Sequence, residues 1–90
     1  PNPGEGIEEV TSSVNMYPNP VNDKLYIEAE MEVEEVVVYD VFGRQQVTET
    51  LSRQGNLVVD VANLNSGVYF VKIVTSEGEI VKRFVKNEEL

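Results

Sequence analysis

The sequence predicts an all-β domain, with short antiparallel strands folded into two facing layers. Three observations carry this. Apolar residues recur with period two in several segments. Gly, Pro, Asn and Ser clusters punctuate the chain at short intervals. No segment sustains the 3.6-residue period of an amphipathic helix, and the connections are too short to hide a crossover helix, which excludes parallel βαβ units.

The elements follow in order. Residues 1–13 hold two prolines, two glycines and three glutamates with only two aliphatic side chains. That composition does not repay the entropy of ordering, so it reads as a flexible acidic linker, with the domain spanning 14–90. Val14 to Tyr17 is a first strand, stopped by Pro18-Asn19-Pro20, whose prolines remove backbone donors. In Lys24 to Glu30, Leu25, Ile27 and Ala29 face one side while Tyr26 and Glu28 face the other. Glu35 to Val41 is a β-branched run, expected to be central or covered on both faces. The intervening Glu28–Glu35 stretch has a helix-compatible composition, but Val33 and Val36–Val38 break the period. Phe42-Gly43-Arg44 is a turn in which Gly43 supplies positive φ.

Gln46 to Leu51 and Asn56 to Val61 are the next two strands, separated by a turn at Arg53–Asn56. Asn63 to Gly67 turns the chain into the longest strand, Gly67–Thr75, with Tyr69, Val71 and Ile73 on its core side. Ser76–Glu79 closes a hairpin into Ile80–Lys86. Seven antiparallel strands in a domain this short must pair as two sheets, since one open sheet leaves an apolar face wet. The expected fold is a seven-stranded antiparallel immunoglobulin-like β-sandwich, without the Cys…Trp…Cys marker of antibody domains.

Composition narrows the chemistry. The 90 residues are 41% hydrophobic and 26% charged, ordinary for one globular domain. Cysteine and histidine are absent. That removes disulfides, thiolate and imidazole metal sites, and Cys–His or Ser–His nucleophile systems. No apolar run approaches the ~18 residues of a membrane-spanning helix, so no direct membrane insertion is expected. The net charge of −9 repels phosphate backbones, so no nucleic-acid partner is expected either. Residues 1–35 carry nine acids against Lys24, a sum of −8, while residues 36–90 carry seven acids and six bases, a sum of −1. Beginning at Pro1 with no signal-like segment, the sequence is expected to be a piece of a longer protein.

Candidate sites are few. The glutamates at 28, 30, 32, 34 and 35 read as a solvated strand and loop rather than a catalytic carboxylate pair in a sugar-holding cleft. Asn19, Asn22 and Asp23 read as turn formers, because the spacing of a calcium loop is missing. There is no phosphate-binding glycine loop. The seven Tyr and Phe side chains are the only supply for a sugar-binding platform, and a small core needs most of them. The residues therefore give no catalytic, metal or cofactor site.

Four segments together resemble a known family. Tyr17-Pro18-Asn19-Pro20, followed by Leu25 and Ile27, resembles the opening of the C-terminal sorting domains of the type IX (Por) secretion system of Bacteroidetes-type Gram-negative bacteria. Tyr39-Asp40-Val41-Phe42-Gly43-Arg44 looks like that family's second motif. Leu64-Asn65-Ser66-Gly67-Val68-Tyr69-Phe70-Val71-Lys72 looks like its third. Lys82-Arg83-Phe84-Val85-Lys86 is similar to its basic–apolar terminus, although Asn87–Leu90 follow here, of native or vector origin.

The resemblance implies a sorting signal with a seven-stranded immunoglobulin-like sandwich. It implies an upstream cargo fused to the domain, periplasmic transit, and recognition by an outer-membrane translocon. It also implies removal within residues 1–13 by a sortase-like cysteine peptidase, leaving cargo on the cell surface or secreted. No cofactor is implied. Lys82, Arg83 and Lys86 would either keep a strand edge solvated or meet a receptor, and an exposed last strand would allow homodimerisation by edge pairing. The alternative reading is an accessory immunoglobulin-like spacer or carbohydrate-binding module of a surface enzyme.

Overall fold

The structure, a computed structural model, describes residues 14–88 and contains five antiparallel strands with no helix among the described residues. They are β1 (Val14–Tyr17), β2 (Lys24–Tyr39), β3 (Gln45–Asp60), β4 (Gly67–Thr75) and β5 (Gly78–Lys86). The expected linker at residues 1–13 lies outside the described residues.

The strand count is five rather than seven, because two pairs of expected strands are continuous. Lys24–Glu30 and the Glu35–Tyr39 part of the expected Glu35–Val41 strand fall in one 16-residue strand, β2. The alternation between them never lapses: Ala29, Met31 and Val33 are buried while Glu28, Glu30, Glu32 and Glu34 are exposed. Only an extended backbone keeps each glutamate in water and each apolar neighbour dry, and this disposes of the helical alternative. Likewise Gln46–Leu51 and the Asn56–Asp60 part of the expected Asn56–Val61 strand are joined in the 16-residue β3. The turn expected at Arg53–Asn56 is instead a bend within the strand, where Gly55 takes φ +102° opposite Ala29. Side chains other than glycine resist that conformation.

The two layers are consequently joined in one sheet. Its order is β1-β2-β4-β5, with β3 along the other side of β2. β1 and β4 share one edge of β2: β1 pairs with Tyr26–Ala29, and β4 pairs with Val33–Tyr39. Register shifts between Ala29 and Val33 and between Val33 and Glu35 mark where the sheet bends. The second shift also corrects the phase. Odd-numbered residues from Leu25 to Val33 face inward, but after the bulge Val36 and Val38 do so. Both halves thus feed one core, in which Leu25 and Ile27 cluster with Val36, Val38, Val71, Ile73 and Phe84. Unbroken period-two alternation through these same residues, with no bulge, would turn Val36 and Val38 outward. Val37, on the outer side, is also buried, between Thr48 of β3 and Lys72 of β4, in keeping with the covered central strand expected here.

Candidate recognition surface

The segment after β1 returns over the outer edge of β5. The Tyr17–Pro18 and Asn19–Pro20 peptide bonds are both cis. Proline offers no N–H, so the polar side chain between the two makes the strand-like contacts. Asn19 Oδ1 accepts the Val85 N–H at 2.9 Å, and Asn19 Nδ2 donates to the Arg83 carbonyl at 3.3 Å. Val21 continues the pairing: its N–H donates to the Val85 carbonyl and its carbonyl accepts the Asn87 N–H, both at 2.8 Å. Asn87 Nδ2 also donates to Asn22 Oδ1 at 3.0 Å. Asn19 and Asn22 are therefore tied to the last strand rather than acting only as turn formers, and Val21 is fully buried.

Asp40 organises the turn after β2. Its Oδ1 accepts the N–H groups of Phe42 and Arg44, each at 2.9 Å. Its Oδ2 accepts Arg44 Nε at 2.7 Å and Gln46 Nε2 at 3.1 Å. Desolvation alone would raise the Asp40 pKa. The Arg44 N–H, the Arg44 guanidinium and the Phe42 N–H outweigh it and hold the carboxyl below its ordinary value. Gly43 completes the turn at φ +82° and donates its N–H to the Asp40 carbonyl at 3.0 Å. This tight frame leaves Phe42 78% exposed, with the Arg44 guanidinium 5.2 Å from its ring centroid.

The third and fourth segments are joined through the core. Tyr69 stacks on Phe84 with ring centroids 5.6 Å apart, and its hydroxyl donates to the Asn65 carbonyl at 2.7 Å. Leu64 packs against the core and, like Asn87, offers its carbonyl to Lys86 Nζ, at 3.1 and 3.4 Å respectively. The basic terminus expected as one surface is thereby divided. Lys86 is only 2% exposed, Lys82 is half-buried, and Arg83 is exposed on the opposite side of the strand. Lys86 is neither a solvated edge charge nor a free receptor contact; it is a core-lining residue whose ammonium is solvated by carbonyl dipoles.

These contacts gather the four sequence segments at one end of the domain. A cleft of about 240 Å³ lies between Asp40–Arg44 and Asn65–Tyr69, and one of about 320 Å³ between Leu64–Ser66 and Lys86–Glu88. Pro18–Pro20, Asp40, Gly43, Arg44, Leu64, Gly67, Tyr69 and Val85 all belong to this end. Tyr39 sits at its margin, opposite Phe70. Lys72 is not brought there, since it lies mid-strand between Val37 and Val81. The sequence reading missed Val21 and the role of Asn87; the only available signal was that an Asn between two prolines has to find its partners elsewhere. At the other end, the Ser76 N–H donates to the Glu32 carbonyl at 2.9 Å, and β1 starts beside Ala29.

The other chemistries find little here. Among the described residues no cluster of three or more His, Cys, Asp or Glu side chains is placed to hold a metal ion. Tyr17 and Tyr26 are exposed and nearly parallel, at 18°, but their centroids are 5.7 Å apart, so the rings stack on each other. They do not form an open platform for a sugar.

Fold and surface together define a small all-β module that presents hydrogen-bonded turns at one end. Residues 15–87 match the secretion system C-terminal sorting domain, and the chain belongs to this family of type IX secretion sorting domains. No curated protein matches the chain.

Proposed function

We propose that this domain carries a periplasmic cargo to the outer-membrane translocon of the type IX system and acts by being recognised, without converting a substrate. The observation that carries the reading is the convergence of four segments, distant in sequence, on one end of the fold. Core packing alone asks for Tyr69 and Phe84; it does not ask for Phe42 to be held in solvent by an Asp40-centred turn. A presented aromatic with a stacked guanidinium is suited to anchoring in a receptor pocket. Chain entry at Val14, beside Ala29 and away from that end, leaves the cargo clear of the receptor. Removal by a sortase-like peptidase within residues 1–13 completes the proposal.

The hydroxyl of Tyr69, bonded back to a carbonyl four residues upstream, supports a relationship to immunoglobulin-type sandwiches, where a tyrosine corner has this form.

The test is a folded reporter carrying the 90-residue chain at its C-terminus, expressed in a host with the secretion system. The reporter is expected at the surface or in the medium, with the new terminus mapping within residues 1–13. Retention in the periplasm, with the reporter folded and the domain intact, would reject the reading.

A further inference from the structure

β5 closes one side of the sheet, and its outer edge is covered over only part of its length. Val85 turns its N–H toward Asn19 and its carbonyl toward Val21, so the peptide groups of odd-numbered residues in β5 point away from β4. The two-residue turn that sets Thr75 opposite Gly78 fixes the same phase. Asn19 and Val21 occupy this edge from Arg83 to Asn87. Nearer the turn, the outward groups of Glu79 and Val81 and the Arg83 N–H meet no partner among the described residues. Val81, at the centre of this open stretch, is 63% exposed, and Glu79 and Arg83 flank it on the same face of the sheet.

We propose that this half-edge pairs with the same edge of a second copy of the chain, antiparallel, about a two-fold axis at Val81. In that register Val81 faces Val81 and the two exchange both backbone hydrogen bonds. Each Glu79 faces Arg83 of the other copy, on both sides of the axis, and each Arg83 N–H reaches a Glu79 carbonyl. Opposite charges directly across a strand pair favour this alignment. Neighbouring registers place Glu79 against Val81, or Val81 against Arg83, and leave the charges unmatched. Sliding further toward the C-terminus runs into Asn19, which ends the ladder. The net charge of −9 does not concentrate here, because −8 of it lies in residues 1–35 and β5 itself carries Glu79 against Lys82, Arg83 and Lys86. The interface is isologous, so it closes at two copies.

Sedimentation of the 90-residue chain over a wide concentration range tests this separately from any secretion readout. A reversible monomer–dimer equilibrium is expected. Glu79→Arg and Arg83→Glu, each alone, place like charges across the axis and should raise the dissociation constant at least about tenfold. The two changes together restore opposite charges and should return it close to the starting value. Both side chains are exposed, so folding does not hinge on them. Val81→Pro removes an N–H that faces away from β4 and should abolish the dimer while circular dichroism still reports the sheet. A chain that stays monomeric at every concentration overturns the proposal. So does a dimer indifferent to the single changes, or one that the double change fails to rescue.

Discussion

The Asn19 carboxamide sits on the outer edge of the last strand as a one-residue substitute for a neighbouring strand, its Oδ1 taking the Val85 N–H at 2.9 Å. The bond spans 66 residues of sequence and ties the opening motif to the closing one. Asn19→Ala leaves the Val85 N–H and the Arg83 carbonyl to water and should cost about 1 kcal/mol of stability. Native-state hydrogen exchange at Val85 should accelerate well before exchange in the middle of β4. Unchanged protection at Val85 would show that the contact does not hold the edge.

Lys86 gives a larger loss of stability, because it is buried. Lys86→Ala deletes charge-assisted bonds to the Leu64 and Asn87 carbonyls and opens a gap beside the core. A loss of about 2 kcal/mol is expected, or roughly 8–16 °C in Tm for a domain of this size. A solvated edge lysine would show almost no change, so thermal unfolding of this single variant decides between the two placements.

Asp40 makes the turn that presents Phe42 sensitive to acid. Its pKa is lowered in the folded state, so its contribution is complete above the ordinary aspartate value and is lost as pH falls through the lowered one. Amide chemical shifts of Phe42 and Arg44, followed by NMR, should titrate together below the ordinary aspartate range while β4 amides stay fixed. Asp40→Asn should abolish that titration. Joint titration persisting in the variant would assign it to another group.

The extra residue at the β2 bulge sets the phase of the second half of the core. Deleting Glu34, which is unmatched between the Val33–Thr75 and Glu35–Val74 pairs, removes it and sets Val33 and Val36 two positions apart, so Val36 and Val38 stay inward. Deleting Val37 instead puts Val36 and Val38 on opposite faces. The Glu34 deletion should keep a cooperative thermal transition and the Val37 deletion should lose it, and the reverse order would show that the bulge does not set the phase.

Much of this was legible in the residues and some was not. The all-β class, the buried face of Tyr69, Val71 and Ile73, and the β5 hairpin follow from period-two patterning that packing reinforces. The continuity of β2 was also written in its alternation, but a run of glutamates suggested loop because charge usually marks solvent, and here it marks only one face of a strand. Gly55 suggested a turn because positive φ serves bends and turns alike. The convergence of the motifs was out of reach, since it depends on Asn19 and Lys86 bonding to backbone groups far away in the chain. Backbone acceptors carry no sequence signature.

Recognition of the motif end is tested most directly by surface substitutions that spare the core. Deleting residues 82–90 is unsuitable, because it removes Phe84, whose loss alone should cost about 3–5 kcal/mol. The measurement is the fraction of a folded reporter that reaches the medium or cell surface when its C-terminal domain carries Phe42→Ser, compared with Glu77→Ser in the exposed turn at the opposite end. Export should fall severalfold or more with Phe42→Ser and stay at the intact level with Glu77→Ser, both domains unfolding at the same temperature as the parent. Equal export from the two variants would contradict recognition through this end of the fold.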